Sequence, residues 1–497
     1  MAKKSVKKVI PRWRYYLVML GLASLPILVT GKIAQLQVMP SEERGVGFLQ
    51  TQGDVRAIRE EVIPAHRGLI TDRNGEPLAV STPVITLIAN PKYMQTAATE
   101  ADLARLAAAM DMSVAALKAR LKHYRNKSFM RLARQISPAD AEKILSLRIP
   151  GVSGQQEYKR FYPAGEVTAQ LVGITDIKDQ GREGMELAYD SWLTGEPGSK
   201  KVMKDRAGRI IKDISLVKSA SPGEALRLSI DLRVQYAAYR AIKASVAKHQ
   251  AKSGSVVVLD IETGEVLAMA NQPSFNPNDL SNLKSNATRN RAITDQMEPG
   301  STVKPFTLLA ALESGKFVSN TKVDTSPGYL RVTYKTFVDP KNYGVLDLAG
   351  ILTKSSQVGT TKVALALDPD ETRGLFERVG FGEPIGSGFP GEIVGELPGH
   401  RTWDPVTQAT FAFGYGLSAS SLQMARAYSV LANDGLRREI SLVALDEPPE
   451  SIRVVDAGIT QDVRQMLQAA AGASGTGKRA MIDGYSVGGK TGTLHKV

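Results

Sequence analysis

Hydrophobic and polar positions divide the chain into three stretches of different character. Residues 15–31 (YYLVMLGLASLPILVTG) carry no charge, and the apolar run continues past Lys32 as IAQLQV. A bilayer core needs about 20 mostly apolar residues, so residues 15–38 are predicted to form a membrane-spanning helix. Pro26 is tolerated in such a helix, and Lys32 can extend to the interface. A cleaved signal peptide is the alternative, which the long run and the lack of an Ala-x-Ala site disfavour.

Residues 39–215 are polar, of mixed character, and interrupted by turn sequences. PAHRGLITDRNGEPLAVST (64–82) predicts a strand, an Asn-Gly turn and a second strand. TEADLARLAAAMDMSVAALKARLKHY (99–124) has apolar residues at helical spacing among strong helix formers. No nucleophile, base and oxyanion donors occur together here, so we interpret this stretch as a non-catalytic pedestal.

Residues 216–497 predict a second domain with a different order of elements. SGSVVVLDIETGEVLAMA (253–270) has two β-rich runs joined by Glu-Thr-Gly-Glu, which predicts a hairpin. Helical spacing with Gly or Pro stops marks the stretches 351–368, 371–379 and 418–432. YSVGGKTGTLHKV (485–497) predicts a strand. Hairpin first, helices in the middle and strand last predict an α+β domain whose antiparallel sheet is assembled from both ends.

Charge and composition narrow the functional classes. The net charge is +13, and the first fourteen of the 497 residues hold six Lys or Arg and no acid. The positive-inside rule therefore predicts a cytoplasmic tail at 1–14 and an external location for everything after residue ~40. Basic stripes with interleaved aromatics are lacking, which argues against nucleic-acid binding. Without cysteine, and with five histidines that lack ligand spacing, we expect no metal or other cofactor.

A possible catalytic pair lies in EPGSTVKPF (298–306), where Ser301 and Lys304 are one helical turn apart. Residues i and i+3 share a helix face, so a neutral lysine amine could accept the serine hydroxyl proton. Pro-Gly before Ser301 would hold it at a helix start, where free N–H groups can stabilise an oxyanion. The alternative interpretation is a capping serine beside an exposed lysine.

Two further motifs favour the chemical interpretation. Ser355, Ser356 and Gln357 open another apolar helix, and KTGT (490–493) lies in the predicted final strand. A Ser-x-x-Lys, a Ser-x-amide and a Lys-Thr-Gly in that order are typical of penicillin-binding proteins and serine β-lactamases. GASGTGKR (472–479) approximates a phosphate-binding loop, but Arg479 replaces the required Ser or Thr and no β-rich run precedes it. We therefore interpret 472–479 as a surface loop.

The sequence resembles the class B penicillin-binding proteins, and among them the division-specific penicillin-binding protein 3 type, over nearly its whole length. RGLITDRNGEPLA (67–79), RFYPAGEVTAQLVGITD (160–176) and GREGMELAYDSWLTGEPG (181–198) are similar to the pedestal of that family. EPGSTVKPF and FGYGLSASSLQMARAYSVLANDG (413–435) are similar to its transpeptidase domain. The resemblance implies a single-pass inner-membrane protein whose periplasmic domain cross-links peptidoglycan stem peptides at the septum. It also implies a serine acyl-enzyme that β-lactams inhibit.

The resemblance also implies roles for individual residues. Ser301 would be the acylated nucleophile, Lys304 its general base, and Ser355 the group that passes the proton to the leaving D-alanine. The residues expected to bind substrate are Gln357, Lys490, Thr491, Gly492 and Thr493. The backbone N–H groups of Ser301 and Thr493 would form the oxyanion hole. Gln357 departs from the asparagine of the family, and its extra methylene is expected to shift the contact with the acyl chain.

Several alternatives stay open at this point. The chain stops four residues after Thr493, whereas the family continues through further strands and a helix, so we expect an incomplete domain. A β-lactam hydrolase, a non-catalytic division scaffold and an elongation-specific transpeptidase are the competing functions. Expected partners are stem peptides ending in D-Ala-D-Ala, β-lactams, a membrane-embedded polymerising glycosyltransferase and other division proteins.

Overall fold

The computed structural model describes residues 11–38, 58–205, 210–284, 286–399, 401, 403–493 and 495–496. The chain divides into two compact units of interleaved segments. The first unit contains Met1–Ala65, Pro83–Glu157 and Glu196–Ser221. The second contains His66–Thr82, Tyr158–Gly195 and Pro222–Val497. The functional boundaries at residues 39 and 216 stay a prediction.

Helices and strands are interspersed along the described parts of the chain, with runs of consecutive helices over residues 91–123 and 348–432. Up to residue 227 they are α1 (Arg12–Val38), β1 (Ile58–Ile63), β2 (Ile70–Thr71), β3 (Pro77–Ala89), α2 (Pro91–Ala97), α3 (Glu100–Ala109), α4 (Val114–His123), β4 (Met130–Ile136), α5 (Pro138–Leu145), β5 (Val152–Phe161), α6 (Ala169–Val172), β6 (Ile174–Thr175), β7 (Gly181–Glu183), α7 (Gly184–Ala188), α8 (Asp190–Leu193), β8 (Gly198–Lys204), β9 (Ile210–Lys218) and β10 (Leu226–Arg227).

The remaining elements all belong to the second unit. They are α9 (Leu232–Lys248), β11 (Gly254–Leu259), β12 (Val266–Gln272), α10 (Arg291–Thr294), β13 (Met297–Glu298), α11 (Lys304–Glu313), β14 (Val323–Asp324), β15 (Tyr329–Val332), β16 (Lys335–Val338), β17 (Val345–Leu346), α12 (Leu348–Lys354), α13 (Gln357–Leu365), α14 (Pro369–Arg378), α15 (Pro405–Phe411), α16 (Ser421–Ala432), β18 (Leu436–Arg438), β19 (Ser451–Arg453), α17 (Ala457–Ala471) and β20 (His495–Lys496). Short 3-10 turns cover Gly165–Val167, Gly300–Val303 and Lys478–Ala480.

The N-terminal helix α1 matches the predicted anchor to within a few residues at its start. Within the described part of the chain, it is the one helix long and apolar enough to cross a membrane by length and composition. Its described side chains are all exposed, as expected for a helix whose apolar surface has no protein partner. The predicted tail at 1–14 lies mostly outside the described residues.

The first unit contains a three-stranded antiparallel sheet and a small helical layer. The sheet has the order β1-β8-β9. The helical layer packs around the fully buried side chains of Leu87, Leu106 and Leu117. The helical stretch predicted at 99–124 is two helices, α3 and α4. The break has a local cause, because Asp111 takes φ +50° and Ser113 accepts a hydrogen bond from the Ala116 N–H to begin the second helix.

Two predicted hairpins are confirmed in the second unit. β2 and β3 pair antiparallel around a turn in which Asp72 Oδ1 accepts from the N–H groups of Asn74 at 2.8 Å and Glu76 at 2.9 Å. β11 and β12 pair antiparallel over Gly254–Leu259 and Val266–Gln272. The predicted helices at 371–379 and 418–432 correspond to α14 and α16.

The strand predicted at 485–497 is confirmed only at its end, where β20 (His495–Lys496) pairs antiparallel with β13. Residues 485–493 form no strand, β20 pairs with β13, and β11 pairs with β12 alone. The end of the chain therefore pairs with β13, and among the described residues it does not extend the β11–β12 hairpin as predicted. The physical reason is that this backbone contacts other elements, since the Gly489 N–H donates to the Leu467 carbonyl of α17 at 3.1 Å.

Helix α11 lies at the centre of the second unit. Every residue from Lys304 to Leu312 is buried. Phe306 makes edge-to-face contacts with Phe376, Phe381 and Tyr428, at ring-centroid distances of 6.1, 5.7 and 5.4 Å. Aromatic pairs of this geometry stabilise a core beyond their area burial. The start of α11 is thereby held on a rigid support.

Candidate active site

The turn before α11 carries Ser301. Ser301 lies in the 3-10 turn Gly300–Val303, which leads directly into α11. Gly300 has φ +57°, and a Cβ there would lie 2.2 Å from the Thr493 carbonyl oxygen. Only glycine allows both this backbone conformation and this close approach. The Pro-Gly pair therefore brings the 490–493 backbone against the serine turn.

Lys304 is fully buried at the first position of α11. Its Nζ donates to the carbonyls of Ser355 at 2.7 Å and Ser356 at 3.2 Å, and lies 3.3 Å from the Ser355 Oγ. Burial and the positive charge of Lys490 lower the Lys304 pKa to about 7, against the opposing effect of Asp339. A lysine with this pKa is partly neutral near pH 7 and can accept a proton.

A break between two helices presents Ser355 to this amine. The helical stretch predicted at 351–368 is two helices, because Ser355 takes the left-handed conformation (φ +54°) at the end of α12. Ser356 then begins α13, and its Oγ accepts from the Gly359 N–H at 2.8 Å. The turn directs the carbonyls of both serines and the Ser355 hydroxyl toward Lys304.

The Lys-Thr-Gly segment lies against the other side of the serine turn. A Cβ on Gly492 would lie 2.6 Å from the Thr302 Cγ2 and 3.3 Å from the Pro299 carbonyl oxygen. Lys490 Nζ donates to the Thr491 carbonyl at 2.6 Å, and burial lowers the Lys490 pKa to about 8. Both threonines of this segment are exposed, and the Thr491 hydroxyl donates to the Thr476 hydroxyl at 3.0 Å.

A cavity of about 290 Å³ adjoins both segments. Its lining residues are Met297, Thr302, Ser421, Met424, Ala425, Tyr428 and Lys490. The Tyr428 hydroxyl donates to the Thr302 carbonyl at 2.7 Å and so fixes the turn that carries Ser301. The cavity combines apolar walls with one cationic group, and its lining includes Lys490 but not Ser301, Lys304 or Ser355.

The structure brings some of the predicted site residues together and leaves others apart. Lys304 is hydrogen-bonded to Ser355, and Gly492 and Thr493 contact the turn of Ser301. The Ser301 hydroxyl itself has no hydrogen-bond partner among the described residues. Gln357 is exposed, and its backbone N–H rather than its side chain makes the local hydrogen bond. Among the described residues, no group of His, Asp or Glu could hold a metal ion.

Asp339 is a residue of this site that the sequence analysis missed. It follows β16, is 4% exposed, and accepts from the Ser356 Oγ and the Gln357 N–H, each at 2.5 Å. A lone Asp after a short strand gives no sequence signal, since its partners are 17 and 18 residues away. The segment 472–479 follows α17 rather than the strand that precedes a phosphate-binding loop.

Comparisons with known proteins identify the family of this chain. Residues 254–497 match the family described as penicillin binding protein transpeptidase domain, and residues 62–228 match penicillin-binding protein dimerisation domain. The chain is 42% identical over 485 residues to the probable peptidoglycan D,D-transpeptidase PbpC of Pseudomonas aeruginosa, covering 97% of this chain and 84% of that protein. It is 41% identical over 492 residues to the peptidoglycan D,D-transpeptidase FtsI of Escherichia coli, covering 98% and 82%.

Solved structures support the same relationship. Penicillin-binding protein 3 from Mycobacterium tuberculosis, complexed with aztreonam, matches with a TM-score of 0.66 and 27% identity over 87% of this chain and 82% of that one. A peptidoglycan synthetase from Bifidobacterium adolescentis matches with a TM-score of 0.66 and 25% identity, covering 86% and 84%. The fold and site define a penicillin-binding transpeptidase built on a dimerisation-type module. The chain belongs to the class B penicillin-binding proteins.

Proposed function

We propose that this protein is a D,D-transpeptidase that cross-links peptidoglycan stem peptides at the division septum. The observation that carries the proposal is the state of Lys304, a fully buried lysine without a carboxylate partner, with a pKa lowered to about 7. The relatives named D,D-transpeptidases, FtsI among them, support the reaction and the septal role.

The contacts of Lys304 suit a general base. A neutral amine has two N–H donors and one lone pair. The carbonyls of Ser355 and Ser356 can take both donors, at 2.7 and 3.2 Å, which leaves the lone pair free for a hydroxyl proton. Lys304 would take the proton of Ser301 as the serine oxygen attacks the carbonyl carbon of the penultimate D-alanine.

The acyl-enzyme would then form and break in two balanced steps. The new Ser301 oxygen–carbon bond replaces the peptide C–N bond, and the leaving D-alanine amine receives the proton through Ser355. In the second step, the amine of another stem peptide attacks the ester carbon; the new peptide C–N bond replaces the Ser301 oxygen–carbon bond, and the amine proton returns to the Ser301 oxygen through Ser355 and Lys304. A β-lactam would stop after the first step, because its leaving group stays attached to the acyl chain.

The Lys490–Thr493 segment would bind the substrate. The terminal carboxylate would accept hydrogen bonds from the Thr491 and Thr493 hydroxyls beside the cationic Lys490, a charge-assisted arrangement. The N–H groups of Ser301 and Thr493 would hold the oxyanion, and Gln357 would contact the acyl chain. The approach of the Thr493 backbone to Gly300 supports this placement.

Membrane topology and partners complete the proposal. The apolar helix α1 and the FtsI-type relatives support a membrane-anchored protein. We propose that residues 1–14 lie in the cytoplasm and that the two compact units lie in the periplasm. The partners would then be a membrane-embedded polymerising glycosyltransferase and other division proteins. A reporter that is active only outside the cytoplasm, fused after residue 50, tests this orientation.

The reaction is tested by labelling the full chain in detergent with a fluorescent penicillin and mapping the adduct by mass spectrometry. We expect one long-lived adduct on Ser301, lost in Ser301→Ala and retained in Ser314→Ala, a control serine near the end of the same helix. An adduct on another serine would refute the assignment. A short-lived adduct would favour a β-lactam hydrolase, and no adduct would favour a scaffold.

A further inference from the structure

The carboxylate of Asp339 lies at the start of α13, beside the turn that contacts Lys304. Oδ1 accepts from the N–H groups of Gln357 at 2.5 Å and Val358 at 3.2 Å. Oδ2 accepts from the Ser356 Oγ at 2.5 Å, and that hydroxyl in turn accepts from the Gly359 N–H. Three N–H groups of the first turn of α13 are thus satisfied by one buried carboxylate and one serine.

The backbone that Asp339 holds is strained and functionally placed. Ser355, directly before the capped turn, has φ +54°, a conformation that a non-glycine residue keeps only when its surroundings enforce it. The carbonyls of Ser355 and Ser356 are the two acceptors nearest the Lys304 amine, and α13 begins directly after Ser356. A shift of this turn would move both acceptors and the Ser355 hydroxyl together.

We propose that Asp339 is a positioning residue of the transpeptidase, with two separable effects on Lys304. Its hydrogen bonds hold the Ser355–Ser356 turn beside the lysine amine. Its negative charge favours the protonated amine and so opposes the effects of burial and of Lys490. The proposal rests on the proposed function, because it assigns Asp339 a part in preparing the base of that reaction.

The charges around Lys304 give the second effect its sign. Lys490 lowers the pKa of Lys304 and Asp339 raises it. Lys354 on α12 and Lys362 on α13 are directed elsewhere, to the carbonyls of Ser474 and Asp324. Removing the charge of Asp339 should therefore lower the Lys304 pKa further below about 7, so that the neutral base persists at lower pH.

Two variants of Asp339 separate the effects. Asp339→Asn keeps the shape and one acceptor oxygen but removes the charge, and Asp339→Ala removes both. The matched control is Asp347→Asn, because Asp347 also caps a helix, accepting from the Gly350 N–H at 2.8 Å at the start of α12, without contacting the Ser355–Ser356 turn. The rate of β-lactam acylation is measured against pH, with the initial binding constant and the acylation step resolved.

We expect the acid limb of acylation in Asp339→Asn to move to lower pH by less than ~1 unit, below the roughly 1–3 units of a direct ion pair. In Asp339→Ala the acylation step should fall by roughly 10²-fold, as misplacement by about 1 Å can cause, with initial binding within about 3-fold. The acylation step of Asp339→Asn should be close to that of the parent, because asparagine keeps an acceptor oxygen for the α13 N–H groups. An unmoved limb in Asp339→Asn, or an equal shift in Asp347→Asn, would overturn the charge effect.

A second measurement is independent of catalysis. The full chain is labelled with 13C at the lysine Cε, and the Lys304 signal, identified by its loss in Lys304→Arg, is titrated by NMR. The midpoint should be lower in Asp339→Asn than in the parent and unchanged in Asp347→Asn. If the parent is not acylated at all, the proposed function fails while this titration still decides the inference. Equal midpoints in parent and Asp339→Asn would contradict it.

Discussion

Two buried cationic clusters in the second unit differ in how their charges are compensated. In the first, Arg67 and Arg160 each donate through Nε to the same carboxylate, Glu186, at 2.6 Å, with all three side chains 0–1% exposed. In the second, the Lys304 side chain is equally buried, but its amine contacts only two carbonyls and a hydroxyl. The positive charge of Lys490 also acts on this amine.

The difference in compensation shifts the pKa values in opposite directions. Burial lowers the Arg67 pKa, but Glu186 and Asp190 more than reverse this, so the Arg67 pKa is raised and the charge is permanent. Burial and Lys490 act together on Lys304 and bring its pKa to about 7. A paired buried cation keeps its charge, and removing its partner destabilises the fold, whereas a buried cation without a carboxylate partner is able to exchange protons. We interpret the first cluster as structural and the second as chemical.

The largest expected effect comes from removing the unpaired cation while keeping its volume. Lys304→Met should reduce the β-lactam acylation rate by ~10²–10⁴-fold, the usual contribution of a positioned base. Its thermal midpoint should be unchanged or higher, because an unpaired buried amine is replaced by an apolar side chain. Acylation kinetics and thermal unfolding check both expectations, with Lys316→Met, an exposed lysine paired with Glu371, as the control.

The same variant should change the pH dependence of stability. The unfolded chain keeps this amine protonated up to about pH 10, whereas the folded chain releases the proton near pH 7. Between these values the unfolded state binds more protons, so the stability of the parent rises with pH. Lys304→Met should lack this rise, and a variant that keeps it would show that another group titrates.

The paired cluster should respond in the opposite way. Glu186→Gln leaves two buried guanidinium groups without their shared charge, a change that typically costs about 3–5 kcal/mol. We expect a large loss of thermal midpoint or of accumulated folded protein. Glu196→Gln, which removes an exposed ion pair with Lys218, should cause no measurable change. An equally stable Glu186→Gln protein would refute the structural interpretation.

A moderate effect is expected at the second cation of the site. Lys490→Gln removes the positive charge that helps to lower the Lys304 pKa, so the acid limb of acylation should move to higher pH, by up to ~1 unit. The measurement is the acylation rate between pH 5 and 9. Because the amide cannot replace the cation in substrate binding, initial binding of the β-lactam should also weaken. If the acid limb of Lys490→Gln does not move, Lys490 does not lower the Lys304 pKa.

The smallest expected effect concerns Gln357. Its side chain is exposed, and its backbone is already fixed by Asp339, so Gln357→Asn should leave the thermal midpoint unchanged. We predict faster acylation in the Asn variant, by at most ~10²-fold, because the shorter amide would contact the acyl chain in better geometry. Equal rates would mean that the site already accommodates glutamine and that residue 357 tunes specificity.

Local signals in the sequence predicted much of the site and part of the fold. Ser301 and Lys304 are three residues apart in the sequence, and the structure places Ser301 in the 3-10 turn that leads into α11, whose first residue is Lys304. The hairpin at 253–270 follows from β-rich runs and its turn. The breaks within 99–124 and 351–368 were missed, although Ser113 and Ser356 are the kind of residue that caps a new helix.

The contacts that sequence reasoning did not predict are those between residues far apart in the chain. Arg67, Arg160 and Glu186 come from the three pedestal-like motifs, and their contacts span 26 to 119 residues. Asp339, which follows β16, likewise accepts hydrogen bonds from Ser356 and Gln357 at the start of α13, 17 and 18 residues away. The strand predicted at 485–497 is shorter than predicted, two residues paired with β13, for a related reason: a strand depends on its neighbour, and periodicity does not specify a neighbour.

The most direct test of the central claim is the pH dependence of penicillin acylation at Ser301, followed by mass spectrometry of the modified residue. Our account predicts a rate that is half-maximal near pH 7 and falls below it as Lys304 becomes protonated, with the adduct on Ser301 throughout. A rate that stays constant down to pH 5, or an adduct on any other residue, would contradict it.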